Sequence, residues 1–474
     1  MTASPDTGIR FGTDGWRGII ADDFTFANVG FVTQAYSAWL HQAHGRPARV
    51  AIGYDTRFQS DRFARRAAAV LLAGGHDVKL SAQAATTPAI TWSIREHGLD
   101  GALMITASHN PGIYNGIKLK GSYAGPALPG MTSEIEAILK ADLAAGRSPS
   151  LADADSAAIE FDPAGPYLKQ LAKLVDLECI AHSGLTAAID VMHGAAAGYL
   201  PSLFAKEDIP LTELRSAPHP LFGGVHPEPL ARHLAPLLDL VGRGGITVGL
   251  ATDGDGDRVA AVDPVLGFVD AQQIFALLLQ HLVEIRGWQG MVVKTFAGTR
   301  MVERLAERYG LPYRETPVGY RHVSELALTE DVLIGGEESG GIGVKNHMPE
   351  RDGLLCNLLL LEIVAKRGRS LAEQMAALTA EVGPHYYARE DLVLQGGLVS
   401  LDPLSARPPA VVAGIEVTAV DRLDGLKLKL GDDGWLLLRP SGTEPLLRIY
   451  AEMSSRAALQ EVLAAGVELV TPLA

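Results

Sequence analysis

Only two cysteines, Cys179 and Cys356, occur in the 474 residues of this chain. They lie far apart and make no ligand-type pair, so neither a disulfide framework nor a cysteine metal site is expected, and a reducing, cytoplasmic setting is. No apolar run reaches the roughly 18 residues of a membrane helix. The best stretch, near Leu354, is broken by Asn357 and Glu362. The opening MTASPDTGIR lacks the basic-then-apolar order of a secretory leader. Basic residues are outnumbered: 41 Lys and Arg face 55 Asp and Glu, for a net charge of −14. Nucleic acid is therefore a poor partner. A small anionic substrate is not excluded, because fields fade over about 8 Å at physiological salt and only the cations inside a site matter.

What the chain does have is apolar mass. Hydrophobic residues make up 47% and charged residues 20%, enough for large buried cores. The length suggests about three domains, with room for one fewer or one more. Three segments repeat one pattern of apolar strands with helices between them. The first holds Val50–Ile52, Val78–Leu80 and Leu103–Ile105; the second holds Ala187–Ile189, Ile209–Leu211 and Ile246–Val248; the third holds Met291–Val293, Leu311–Tyr313 and Val332–Ile334. Helical spacing fills the gaps, as in Phe63–Leu72 and Met301–Leu305. The last segment differs. Ile415–Val417, Leu426–Leu430, Trp435–Leu438 and Leu447–Tyr450 read as a strand meander, followed by a helix over Arg456–Val470. The expected fold is α/β: three similar α/β domains with mixed sheets at 1–150, 163–267 and 268–381, then an α+β domain at 384–474.

In each repeat the third strand runs into a loop of unusual composition. The first is Thr106-Ala-Ser108-His109-Asn110-Pro111, where a nucleophile-capable serine follows the buried-strand signature Ala102–Ile105. A Ser-His dipeptide can also be an ordinary cap or turn. An acyl-transfer triad is disfavoured, because Ser108 lacks a G-x-S-x-G elbow and no acid lies close by in sequence to orient His109. The second loop is Asp253-Gly-Asp255-Gly-Asp257-Arg258. An EF-hand would need Gly where Arg258 stands and Glu where Pro264 stands, so it is rejected. Three converging carboxylates suit Mg²⁺, and the lack of His or Cys at ligand spacing disfavours zinc. The third loop, Gly336–Gly341, carries Glu337, Glu338 and Ser339, which either cap a following helix or bind sugar hydroxyls. A fourth, Arg439-Pro-Ser441-Gly442-Thr443, is either a common turn or a phosphate cradle without a Walker lysine. Arg351-Asp352-Gly353 reads as a helix N-cap. A hydroxyl beside a carboxylate-held metal is equipment for phosphoryl transfer.

Together FGTDGWRG (Phe11–Gly18), TASHNPGIYNGIK, DGDGDR, TPVGYR (Thr316–Arg321), GEESGG, PERDG and RPSGTEP resemble, in that order, the α-D-phosphohexomutase superfamily in its phosphoglucomutase/phosphomannomutase branch. The resemblance covers nearly the whole chain and implies four domains around one central cleft. It implies that Ser108 is phosphorylated, with Asp253, Asp255, Asp257 and a phosphate oxygen on Ser108 holding one Mg²⁺. The phosphoryl would pass to a hexose phosphate, give a bisphosphate that turns end for end, and return from its other end. Arg439, Ser441, Gly442 and Thr443 would cradle the distal phosphate, with Gly319 and Arg321 of the TPVGYR loop beside them. Glu337 and Ser339 would grip sugar hydroxyls, and Arg17 and Arg258 would neutralise phosphate charge. Lys118 is the favoured acid/base, with His109 the second candidate and His322 a distant third. Arg321 replaces the lysine of glucose-type relatives and should bind phosphate, since it does not give up its proton. Gly341 stands where some members carry histidine.

In this family GEES goes with glucose phosphates, GEMS with dual glucose/mannose enzymes and GEQS with glucosamine phosphate. The implied activity interconverts glucose 1-phosphate and glucose 6-phosphate, activated by glucose 1,6-bisphosphate, with some mannose activity, in a monomer or homodimer. A phosphomannomutase or dual-specificity enzyme is the alternative. A metal-dependent sugar phosphatase and a non-catalytic sugar-phosphate binder are further ones.

Overall fold

Short runs rich in small and β-branched apolar residues make inner strands of the first three sheets, and leucine-rich runs make those of the fourth. The computed structural model describes residues 9–12, 14–154, 158–393, 400–432, 434–440 and 446–471. In the first sheet Arg49–Tyr54 lies between Asp77–Ser81 and Gly101–Ile105, all parallel, and Tyr114–Gly121 then pairs antiparallel with Gly101–Ile105. The second sheet repeats this with Ala187–Asp190 between Leu211–Leu214 and Val248–Thr252, followed by antiparallel Val259–Asp263. The third sets Met291–Thr295 between Tyr313–Thr316 and Val332–Gly336, followed by antiparallel Ile342–Val344. Mixed sheets follow from this plan. Each special loop links the last parallel strand to its antiparallel successor, so all three loops leave the carboxyl end of a buried strand. Ligands gather at that end in open α/β sheets.

The strand assignments need small corrections. Strands expected to begin at Ile209 and Leu311 begin at Leu211 and Tyr313. Pro210 and Pro312 have no N–H to donate, and their carbonyls accept the ladder bonds from Ala187 and Val292 instead. The strand expected from Ile246 begins at Val248. Ile159–Phe161, expected to be linker, adds a parallel strand beside Asp77–Ser81. Glu337–Ser339 do not cap a helix: the chain turns back into Ile342–Val344. The RDG reading holds, because the Asp352 side chain accepts the Leu355 N–H at the start of helix Gly353–Arg367. Leu354–Leu361 are all buried because that helix packs on both the second sheet and helix Ala271–Glu284. The second and third units thereby share one apolar core. No helix among the described residues is long and apolar enough to cross a membrane.

The fourth sheet is antiparallel throughout, in the order Tyr386–Val393, Leu446–Met453, Gly434–Pro440, Leu426–Leu430, Ile415–Asp421, Val411–Val412. Helix Arg456–Val470 covers it as expected. Tyr386–Val393 is an addition that sequence patterning hides, because Arg389-Glu390-Asp391 interrupts the apolar alternation on an exposed edge. The sheet docks on the third unit through Phe296, Ala297, Trp435, Leu437 and Tyr450. Within this contact Lys427 Nζ donates to Phe296 O at 2.8 Å and to Glu315 Oε1 at 3.1 Å. Lys294 Nζ lies 2.9 Å from the same carboxylate oxygen.

Burial, followed by the Lys294 charge, lowers Lys427 to about 8. An unfolded lysine titrates near roughly 10.4, so between these values the folded state binds fewer protons and stability rises with pH. Lys427→Met removes that step. Wild type should therefore gain melting temperature relative to Lys427→Met on going from about pH 8 to about pH 10. A difference that stays constant across that range contradicts the assignment.

Candidate active site

Ser108 sits just beyond strand Gly101–Ile105 with φ of 51°, a left-handed conformation uncommon outside glycine. Its surroundings impose that geometry. Thr106 Oγ1 accepts the Ser108 N–H at 2.9 Å and itself donates to Asp55 Oδ2 at 2.6 Å. Arg57, fully buried and paired with Asp55, donates to the carbonyls of Ser108, Asn110, Pro111 and Tyr114 at 2.6 to 3.0 Å. One guanidinium thus pins the loop from below. Neither Asp55 nor Arg57 was picked out from sequence, although both follow the end of strand Arg49–Tyr54, the position that flagged the other loops.

The Asp253–Arg258 loop meets this serine directly. Ser108 Oγ donates to Asp253 Oδ2 at 2.7 Å. Gly254 permits the approach, since a Cβ there would stand 2.7 Å from Ser108 O. Thr87, at the head of helix Thr87–His97, donates from its Oγ1 to Asp255 Oδ2 at 2.6 Å, and its N–H donates to Asp255 O at 2.8 Å. Asp253, Asp255 and Asp257 are wholly buried, with ligand oxygens all within 4.8 Å of one another. Among the described residues, Asp255 Oδ1 and Asp257 Oδ1 are buried without a hydrogen-bond partner. Unsatisfied, converging carboxylate oxygens are what a hard divalent cation requires, so the residues fit Mg²⁺.

Cations already surround these acids. Lys118 Nζ lies 2.9 Å from Asp14, 2.8 Å from Asp255 and 2.7 Å from Asp257. Burial would lower Lys118, but those three carboxylates outweigh it and raise it far above its ordinary value. Burial would raise Asp255, yet Lys118 holds it well below the usual carboxylate range. No ion pair to Asp253 falls among the described residues, and the Arg258 charge and the Ser108 hydrogen bond only partly offset what raises it. Burial and the charges of Asp255 and Asp257 push it well upward. His109, with Nδ1 3.4 Å from Ser108 Oγ, is held well below its ordinary value by burial and by Arg258, Arg17, Lys118 and Arg57. Lys118 therefore rests protonated and His109 neutral.

The remaining predicted residues fall around this centre. Arg17 donates to Asn110 Oδ1 at 2.6 Å, and Arg258 donates to Glu228 Oε1 at 3.0 Å. Glu337 is buried and Ser339 half-buried on the loop that ends the third sheet. Gly319, with φ of 127°, leads into helix Tyr320–Thr329, where Arg321 donates to Gly12 O at 3.3 Å and His322 is half-buried. Arg439, on the fourth sheet, contacts Asp424. Ser441, Gly442 and Thr443 lie outside the described residues. Arg351 is the largest omission of the sequence reading. It donates to Glu337 Oε2 at 3.0 Å, to Asp257 Oδ2 at 2.8 Å and to Asp14, joining three loops at once.

Models of the phosphoglucomutase/phosphomannomutase family match along the chain: alpha/beta/alpha domain I at residues 8–145, domain II at 165–267, domain III at 270–382, and the C-terminal domain at 406–469. The chain belongs to this family. It is therefore an enzyme of the phosphohexomutase class. A Thermococcus kodakarensis relative named phosphoglucomutase/phosphomannomutase is 30% identical over 98% of both chains. A Limosilactobacillus reuteri relative named phosphoglucosamine mutase is 31% identical over 94% of both. A solved Thermus thermophilus structure, assigned provisionally as a phosphomannomutase, superposes with a TM-score of 0.87 at 36% identity, covering 98% of this chain and 99% of that one.

Removing Arg351 from this phosphohexomutase leaves buried Glu337 without a counter-ion and Asp14 and Asp257 to Lys118, a loss typically worth about 3–5 kcal/mol. Arg351→Met should lower unfolding stability by about that amount in urea titration. A loss below about 1 kcal/mol would show that Lys118 alone balances the cluster.

Proposed function

We propose that the enzyme interconverts glucose 1-phosphate and glucose 6-phosphate through a phosphoryl group carried on Ser108. The observation that carries this reading is the Ser108 Oγ–Asp253 Oδ2 hydrogen bond of 2.7 Å, which puts a hydroxyl against a trio of buried carboxylates. Asp253, Asp255 and Asp257, with a phosphate oxygen on Ser108, would hold Mg²⁺, which when bound supplies charge stabilisation to phosphoryl oxygens.

The chain's own groups do the rest. Arg57 and Thr106 fix the serine backbone in place, and Asp253 accepts the hydrogen bond of its hydroxyl. Arg17 and Arg258 bring positive charge to the two phosphates, each of about −1.5 to −2. When the phosphoryl leaves Ser108 for a sugar hydroxyl, the P–O bond to Oγ breaks and one forms to the sugar oxygen. A proton must reach Oγ and another must leave the sugar. Lys118 is the favoured group for these transfers, and His109, with Nδ1 3.4 Å from Ser108 Oγ, is the second candidate. The resulting bisphosphate turns and returns its other phosphoryl to Ser108. Arg321 and Arg439, with Ser441, Gly442 and Thr443, would take whichever phosphate is distal.

Glu337, held by Arg351 through one carboxylate oxygen, keeps the other for sugar hydroxyls. The GEES sequence supports glucose. The names of the relatives favour a second reading, in which mannose or glucosamine phosphate is the substrate.

Turnover of glucose 1-phosphate, mannose 1-phosphate and glucosamine 1-phosphate separates these readings when each is measured with and without glucose 1,6-bisphosphate. Glucose 1-phosphate should turn over fastest and be stimulated by the bisphosphate, and Ser108→Ala should abolish turnover with an unchanged melting temperature. Equal or faster turnover on another sugar overturns the glucose assignment. Release of inorganic phosphate in place of isomer overturns the mutase reading.

A further inference from the structure

Arg439 is the described part of the fourth-domain cradle, and its guanidinium does not stand alone. Asp424, in the turn between strands Ile415–Asp421 and Leu426–Leu430, accepts the Arg439 Nε–H at 2.8 Å through Oδ2. That same oxygen accepts the backbone N–H of Val318 at 2.8 Å. Val318 belongs to the Thr316–Arg321 loop of the third domain, three residues before Arg321. Gly425 lets this happen: with φ of 103°, it brings the turn so close that a Cβ would stand 2.5 Å from Leu438 O and 3.2 Å from the Arg439 Cα. A single carboxylate oxygen therefore joins a guanidinium of one domain to the phosphate loop of another.

The choice of donor matters. Asp424 engages only Nε, and the two terminal nitrogens of Arg439 make no hydrogen bond among the described residues. Those terminal N–H groups form a planar fork that matches two oxygens of a phosphate. An arginine side chain gives up about 2 kcal/mol of rotamer freedom when it is fixed. A partner that fixes it beforehand removes that cost from substrate binding.

We propose that Asp424 is a positioning residue for the phosphate of the substrate: it sets the Arg439 fork beforehand and registers the fourth domain against the Val318–Arg321 loop. The inference rests on the assignment of Arg439 to phosphate. It predicts that Asp424 acts through Arg439, which a merely structural carboxylate would not do.

The test is a double-mutant cycle on the full-length enzyme, reading KM for glucose 1-phosphate and inhibition by inorganic phosphate, with melting temperatures in parallel. Asp424→Ala should raise both constants about tenfold or more, the size of one lost charge-assisted hydrogen bond. Asp424→Asn, which keeps an acceptor oxygen, should recover most of that loss. Arg439→Ala should weaken both constants, and adding Asp424→Ala to it should cost little more. If Arg439→Ala weakens both constants but Asp424→Ala shifts them less than about twofold, or adds its full effect to Arg439→Ala, the positioning role is overturned and the phosphate role of Arg439 stands. If Arg439→Ala itself leaves both unchanged, the phosphate assignment falls and takes this inference with it.

Discussion

Lys118 and Arg351, with Lys120 4.0 Å from Asp14, are cations that allow Asp14, Asp255, Asp257 and Glu337 to share one buried space. Two carboxylates about 4 Å apart repel by about 4 kcal/mol at an effective dielectric of 20. Without interleaved cations a cluster of this kind would take up protons or force its loops apart. Asp14 comes from the first domain, Asp255 and Asp257 from the second and Glu337 from the third. Charge balance at the centre is therefore also what aligns the domains.

The repeated sheet plan explains why the acids and the serine meet. Each of the first three sheets ends a parallel strand in a loop and returns antiparallel, so its functional residues emerge at one edge. The fourth sheet lacks that plan and reaches the site through contacts of another kind: an aromatic patch around Phe296, a glutamate between two lysines, and Asp424. Three domains are thus joined by buried ion pairs at this centre, while the fourth docks on the third.

Much of this was legible in the linear chain. Ser108 and the three aspartates lie in short loops after strongly apolar strands, and local patterning is enough to find them. The four-sheet architecture was legible because the strand–helix pattern recurs. Arg57, Asp14, Arg351 and Asp424 were not, because their roles arise from partners remote in sequence: Arg351 and Asp14 are 337 positions apart, and Asp424 and Val318 are 106 apart. Arg351 was read only as the neighbour of a helix cap. Asp352 does cap, but the arginine beside it points to different work. Strand Tyr386–Val393 was hidden by three consecutive charged residues at an exposed sheet edge. A residue whose importance lies in neutralising another's charge leaves no periodic trace.

We propose that the Ser108 hydroxyl, held by Asp253, carries the phosphoryl group between substrates. Incubation with glucose 1,6-bisphosphate labelled in both phosphates, followed by proteolysis and mass analysis of the Thr106–Lys118 peptide, tests it most directly. Label is expected on Ser108 and should be lost when unlabelled glucose 1-phosphate is added, at a rate at least equal to turnover. Label on another residue, or label on Ser108 that persists while substrate is converted, would contradict it.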